Sequence, residues 1–373
     1  MENPFSYTGI VRGESFCNRE TEQTELLKFI KGSQNVLLYS HRRYGKSSLI
    51  YKLFHRLERQ RPRIDTLYVE LYGTLSEKDF VTAILTSLNQ IETRLEKLVK
   101  LVRSALRSVR LGMSIDPLTG APGVTVSFDS SYNEAMLGNV LGLLGSFSEK
   151  RKLMVVFDEF QEIANYKLEG FEKRLRSIIQ QHEHVSYFFC GSKRHILTEI
   201  FTNQNRAFYK LAQSYPLDKI KTSEYVPWAQ NLFVKAGKKI EAELIEEIVF
   251  RCENHPMYVQ QFLFYLWEEK ATDFSLDTVD GLELKILRNS HNEFLNLWDS
   301  LTLNQKKTLK LIILTSGREL FYASALQAVD LKASSQVTRS LNKLVGADIV
   351  LKNDDYKIQD VMFKKWIQTF LLK

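Results

Sequence analysis

Between Asn35 and Leu53 the chain reads NVLLYSHRRYGKSSLIYKL: an apolar run, a short turn and then a helical pattern, with Gly45, Lys46 and Ser47 at the turn-to-helix junction. A helix that starts just after a tight turn presents unpaired backbone N–H groups and the positive end of its dipole, and both favour an anion. Gly45 lets the backbone come close to a phosphate, Lys46 can reach outer phosphates as a point charge, and Ser47 offers a hydroxyl able to ligate Mg²⁺. Ser40, Arg43 and Tyr44 in the turn and Ser48 in the first helical residues complete the candidate cradle. By composition alone a Gly-Lys-Ser/Thr tripeptide occurs in roughly one chain in five of this length, so the flanking strand and helix must supply the specificity. The competing reading is an ordinary strand-to-helix turn with an exposed lysine. The pattern GxxxxGK[ST] also has Ser40 where its first glycine would stand, and serine does not tolerate strongly positive φ, so a differently shaped loop start is expected.

A chain of 373 residues has room for two or three domains, and 44% hydrophobic with 25% charged residues is the balance of a soluble globular protein. No apolar run reaches the roughly 18 to 20 residues needed to cross a bilayer, and MENPFSYTG lacks the basic and apolar regions of a signal peptide. A cytoplasmic location is therefore expected. Cys17, Cys190 and Cys252 are widely spaced, with no CxxC or histidine partner at ligand spacing, and read as buried thiols rather than a disulfide framework or zinc site. The net charge of +7 permits a polyanionic partner but argues only for non-specific attraction.

Around the loop, the chain alternates. SFCNRETEQTELLKFI predicts a helix capped by Asn18, with Leu26, Leu27 and Ile30 on one face. Asp65–Leu71 reads as a buried strand and about 76–90 as a helix, an order that favours a parallel sheet covered on both faces. From Ile91 to Arg110 a basic amphipathic helix is expected; its face could be simply solvated or could bind nucleic acid or acidic membrane. MSIDPLTGAPGVTVSF then predicts a β-hairpin, so about 91–130 reads as an insertion. After a helix over about 132–150, LMVVFDEFQE delivers Asp158 and Glu159 to the end of a buried strand. A carboxylate pair is costly there unless it meets a metal or does chemistry. Asp158 can hold Mg²⁺ through water, and Glu159 can orient or deprotonate an attacking water. VSYFFCGSK gives a further strand ending near Ser192, which either touches the γ-phosphate or water, or caps the helix that follows. A fifth strand is expected near SYPLDKI.

After Lys221 the patterns are helical, broken at Asn254 and Pro256; His255 could contact a phosphate as part of a lid, or be structural. In the last eighty or so residues, Leu301–Leu314, Ala323–Val329 and Ser334–Val345, the last capped by Ser334 or Ser335, predict three helices. IVLKNDDYKIQ then reads as a hairpin wing. The third helix carries Gln336, Arg339, Asn342 and Lys343, types that read base edges or phosphates, whereas Asp354 and Asp355 in the wing would repel phosphate. DNA contact and protein docking both stay open.

In order, FCNRETE, SHRRYGKSS, MVVFDEFQE, FFCGSK, NHPMYVQ and a terminal winged helix resemble the archaeal-type ATPases of the STAND group. These are P-loop ATPases of the additional-strand-glutamate class, related to the AAA+ and origin-recognition ATPases. The resemblance spans essentially the whole chain. It implies an α/β P-loop NTPase parallel sheet of order 5-1-4-3-2 in residues 1–220, a helical lid over 221–290 and a winged helix-turn-helix over 291–373. It further implies ATP and Mg²⁺ as cofactors, Lys46 and Ser47 on phosphate and metal, Asp158 as the Walker B metal residue and Glu159 as the catalytic glutamate. Ser192 matches the polar residue ending the sensor strand, and His255 with Pro256 falls in a Gly-His-Pro-like lid motif in which Asn254 replaces the glycine. Arg194 is a candidate arginine finger. The function expected is an ATP-dependent, slowly hydrolysing switch; the alternatives are a DNA-binding regulator with mainly structural ATP, and a protein-docking scaffold.

Overall fold

The structure, a computed structural model, describes residues 2–90, 109–115, 122–128, 135–149, 151–270 and 274–372. It divides into two compact units: Arg19–Asp218, and a second that joins Met1–Asn18 to Lys219–Lys373.

In the first unit the chain runs α1 (Glu20–Lys31), β1 (Val36–Tyr39), α2 (Lys46–Arg59), β2 (Asp65–Glu70), α3 (Glu77–Gln90), β3 (Val109–Ile115) and β4 (Pro122–Phe128). Helix Ala135–Ser148, β5 (Leu153–Asp158), helix Phe171–Ile179, β6 (Val185–Gly191), helix Arg194–Thr202 and β7 (Gln213–Pro216) complete it. Five strands form one sheet in the order β2-β5-β6-β1-β7, and every pairing in it is parallel. Counted along the chain this is the expected 5-1-4-3-2. Every residue of β5 and β6 is buried, as uninterrupted apolar runs require of central strands covered on both faces. On one face, Phe157, Tyr187 and Phe189 stack with centroids about 6 Å apart, and Phe80 and Phe160 close over them at 5.1 Å from Phe157 and 4.6 Å from Phe189. Each such ring taken out of water contributes about 1.5–3 kcal/mol, so the strand ends that carry the polar residues are set in a stiff layer.

The expected hairpin is present, with β3 and β4 paired antiparallel from Val109↔Phe128 to Ile115↔Pro122. Val109 and Arg110 are therefore strand rather than the end of the basic helix, because cross-strand pairing takes up their backbone groups; the remainder of that helix lies outside the described residues. Asn18 does not cap α1. The position before Glu20 is Arg19, and Asn18 and Arg19 are both left-handed, at φ 47° and 64°.

The second unit consists of helices Thr222–Lys235, Ala242–Arg251, Pro256–Glu268, Leu276–Asn289, His291–Ser300, Leu303–Leu314, Ala323–Ala328, Ser334–Gly346 and Val361–Leu371, with the two-stranded wing β8 (Val350–Lys352) and β9 (Tyr356–Ile358). One continuous set of buried apolar residues runs from Phe5 through the helices after Thr222 to Trp366 and Ile367. Phe5 holds the N-terminal segment in this core, packed on Trp228, Phe233 and Trp267 at 5.3–5.8 Å. Thr302 and Gln305 form a capping box, which starts the expected Leu301–Leu314 helix at Leu303. Neither Ser334 nor Ser335 caps the next long helix: Ala333 is at the cap, and the Gln336 side-chain oxygen accepts from the Lys332 and Ala333 N–H groups instead. The last helix, capped by Asp360 and centred on fully buried Trp366, was not foreseen.

Gly317, just beyond the helix Leu303–Leu314, has φ 78°, and a Cβ there would lie 1.8 Å from the Tyr356 carbonyl oxygen of the wing. Left-handed strain plus displacement of β9 predicts that Gly317→Ala destabilises this unit by about 2–4 kcal/mol, measured as a lowered denaturation midpoint. An unchanged midpoint would contradict the close approach. The three cysteines are buried, as expected. No helix among the described residues is long and apolar enough to cross a membrane.

Candidate functional site

The turn after β1 and the ends of β5 and β6 converge at the carboxyl edge of the sheet, the edge at which open α/β sheets bind ligands. α2 begins at Lys46 behind Gly45, which adopts φ 85° and so needs a residue without a Cβ. Ser40 is buried, its hydroxyl donates to the His41 carbonyl at 3.0 Å, and it is not one of the positive-φ residues. A serine therefore fits the start of the loop without backbone strain. The left-handed turns fall instead at Arg43 and Gly45. Tyr44 is buried and edge-on to His41 at 5.4 Å, and Ser48 is buried in the first turn of α2.

Lys46, only 8% exposed, donates to Asp158 Oδ1, and its Nζ is 3.9 Å from Glu159 Oε1. The Ser47 hydroxyl lies 3.4 Å from Asp158 Oδ2. Lys46, Ser47, Asp158 and Glu159, 112 residues apart in the case of Lys46 and Asp158, thus meet at one corner. Burial pulls the Lys46 ammonium's pKa down, but the charge and hydrogen bond of Asp158 outweigh it, leaving it raised. Burial likewise pushes Asp158 up, and Lys46 with the Tyr68 hydroxyl more than reverses this, leaving it lowered. Glu70, paired in register with Asp158, is raised by burial and then by the Asp158 charge. The corner is an ion pair with a surplus of carboxylate, the electrostatics that a divalent cation between oxygen ligands complements.

Glu159 follows β5 in a left-handed conformation, φ 52°, with its N–H donating to Asp158 Oδ1 at 3.0 Å. Its Oε2 accepts from the Ser192 hydroxyl at 3.2 Å and from Gln161 Nε2. Ser192 therefore reaches the glutamate rather than capping the following helix, whose cap position is Lys193. Arg194 lies over the Tyr39 ring, its guanidinium carbon 5.5 Å from the centroid.

Three residues at this corner were not foreseen. Tyr68 donates its hydroxyl to Asp158 Oδ2, and Gln161, 1% exposed, reaches Glu159. Arg19, 2% exposed, donates to the Tyr44 carbonyl at 3.1 Å and pairs with Glu22 at 2.7 Å, bracing the turn from below. The charged run NRETE beside a helix start was a signal for Arg19; a strand tyrosine and a glutamine after a carboxylate pair carry no comparable pattern.

His255 belongs to the second unit, where it precedes helix Pro256–Glu268 and is buried with its ring 4.8 Å from that of Tyr258. On helix Ser334–Gly346, Arg339, Asn342 and Lys343 are exposed, whereas Gln336 is half-buried with its oxygen turned to its own helix start.

Residues 292–369 match the family described as a probable winged helix domain. No curated protein matches the chain. Among solved structures it is similar to a Walker-type ATPase of Pyrococcus abyssi, with 16% identity, a TM-score of 0.69, and 98% of this chain and 99% of that one covered. The fold is that of a Walker-type ATPase. It is also similar to the ORC2 protein of Aeropyrum pernix in ADPNP–ADP complexes (13% identity, TM-score 0.53, 95% of each chain covered). The ADP form of that protein gives 12% identity and a TM-score of 0.51, with 95% of this chain and 96% of that one covered. In this ATPase fold, the turn before α2 and the end of β5 are where Lys46 and Asp158 meet.

Proposed function

We propose that the chain is an ATP-binding, slowly hydrolysing switch of the STAND type, working in the cytoplasm, in which nucleotide state sets the arrangement of its lid and winged-helix parts. The observation that carries this reading is the convergence of Lys46, Ser47, Asp158 and Glu159 beside the turn between β1 and α2. In this reading the helix α2 N–H groups and Lys46 hold the β- and γ-phosphates, with Ser40, Arg43, Tyr44, Gly45 and Ser48 shaping the cradle. Lys46 must leave Asp158 to do so, and phosphate replaces the carboxylate as its counter-charge.

The donor set fits Mg²⁺. Ser47 and Asp158 offer hard oxygen ligands side by side, and among the described residues no cluster of three or more His, Cys, Asp or Glu could hold a metal without other ligands. Mg²⁺ takes one or two protein oxygens plus phosphates and waters, so it needs no such cluster. When bound, it would neutralise charge on the β- and γ-phosphates. In this reading Glu159, with Ser192 on one oxygen, orients and deprotonates the attacking water. Arg194 remains the candidate arginine finger and His255 the candidate lid contact.

The proposed parts are the ATPase region 1–220 with its insertion at about 91–130, the lid 221–290 and the winged helix 291–373, except that the first eighteen residues belong to the second unit, where Phe5 is buried. The continuous core from the lid helices to Trp366 supports a lid and winged helix that move together. The test is ATP binding and phosphate release by the full chain with Mg²⁺. Saturable binding with slow turnover is expected; neither ATP binding nor phosphate release would overturn the reading.

A second reading, a DNA-binding regulator with mainly structural ATP, is favoured by exposed Arg339, Asn342 and Lys343 on one helix of the winged-helix match. It predicts duplex binding whose affinity falls with salt. Arg339→Ala should weaken it by about 1–3 kcal/mol if a base edge is read, or lower the salt slope by about one if a phosphate is met. No duplex binding at low ionic strength would leave protein docking as the role of this helix.

A further inference from the structure

Gln161 is almost completely buried, yet among the described residues its side-chain oxygen meets no donor. Its Nε2 does have a partner: Oε2 of Glu159, the same oxygen that accepts from Ser192. The opposite amide orientation would set oxygen against carboxylate oxygen, two acceptors with no proton between them. The space Gln161 occupies is created by another residue. A Cβ on Gly191, the last residue of β6, would lie 2.0 Å from Gln161 Oε1 and 2.8 Å from Leu197 Cδ1. Gly191 is not among the positive-φ residues, so its backbone would accept any residue; room for Gln161 is what its missing side chain supplies.

We propose that Gln161 is a positioning residue for Glu159, with Gly191 as the gap that admits it. The inference rests on the ATPase reading of the corner. Gln161 and Ser192 hold Oε2 from the 3₁₀ turn Phe160–Asn165 and from the end of β6, so Oε1, on the Lys46 side, is the oxygen left to face a water at the γ-phosphate. Glu159 needs such holding because its left-handed backbone places the side chain without help from a regular element. Two donors on one carboxylate oxygen remove the rotation about the last side-chain bond that would misalign a base.

The experiment uses the full chain and measures ATP affinity by equilibrium titration, kcat by phosphate release, and melting temperature. Gln161→Leu keeps the volume and removes the donor; kcat is expected to fall about 10- to 100-fold with ATP affinity within about twofold. Gly191→Ala, whose added methyl would meet Gln161 and Leu197 first, is expected to reproduce that split. On a Gln161→Ala background, where the space is vacated, Gly191→Ala should change kcat by less than about twofold, a non-additivity that a merely structural role for either residue would not give. If Gly191→Ala does not fold, Gln161→Leu decides alone. Wild-type kcat in Gln161→Leu, or equal losses of kcat and ATP affinity, overturns the proposal while leaving the ATPase reading standing. A wild-type chain that releases no phosphate removes both.

Discussion

Glu159→Gln is expected to bind ATP within about threefold of the wild type while losing about 10²- to 10⁴-fold in kcat, the usual worth of a general base. Glutamine keeps the size of the side chain and an oxygen to accept from Ser192 but cannot take a proton. It also leaves Lys46 paired with Asp158, so the cradle is not rebuilt. Phosphate release under saturating ATP, set beside a titration of ATP affinity, reads the two effects separately. A variant with wild-type kcat would assign activation of the water to another group, and one that no longer bound ATP would make Glu159 part of the phosphate cradle.

Lys46→Ala is expected to lower ATP affinity by on the order of 100-fold, since a charge-assisted contact to phosphate contributes about 1.5–3 kcal/mol and its loss also leaves Asp158 unpaired toward the triphosphate. The same change acts on the empty protein. Lys46 and Asp158 are both buried, and removing one partner of such a pair costs about 3–5 kcal/mol. Tyr68 and Ser47 still face Asp158, which places the expected loss at the low end, about 3 kcal/mol. Its pH dependence has a definite sign. In the wild type Asp158 is held below its ordinary range, so its stabilisation is present above the unfolded aspartate value of about 3.9 and fades as pH falls through the lower folded value. In Lys46→Ala burial acts on Asp158 without its cation, and the deficit is expected to shrink on acidification as the carboxyl protonates. Denaturation midpoints at neutral and mildly acidic pH check this, and Asp158→Asn in the Lys46→Ala background should recover much of the loss. A deficit that grows on acidification would rule out the unpaired carboxylate as its cause.

The sheet order came from the resemblance, whereas the hydrophobic-strand ends were legible because β5 and β6 are unbroken apolar runs that each deliver polar residues at a defined step: Asp158 and Glu159 from one, Ser192 from the other. Gly45 was legible for the same kind of reason, since a left-handed junction before a helix leaves a mark in residue type. The doubt over Ser40 was not resolvable from residues alone. Whether position 40 needed positive φ depended on where the turn placed its left-handed residues, and it placed them at Arg43 and Gly45. Asn18, Ser334 and Ser335 were read as caps from side-chain type, but a cap requires the chain to enter the helix at that residue. Arg19 and Ala333 hold those positions, with Gln336 supplying the hydrogen bonds at the latter. Tyr68 and Gln161 act through contacts between residues far apart in the chain or around a turn, which no local pattern encodes. The helix centred on Trp366 went unnoticed because it follows the wing, after which the resemblance gave no further element to look for.

The first eighteen residues lie with the C-terminal unit, so the chain passes from one unit to the other at two places, Asn18 to Arg19 and Asp218 to Lys219. At the first crossing the backbone is left-handed at two successive residues, and the second of these, Arg19, grips the carbonyl of Tyr44. The turn that precedes α2 is thus tied, through a single buried guanidinium, to one of the two points at which the chain leaves its unit.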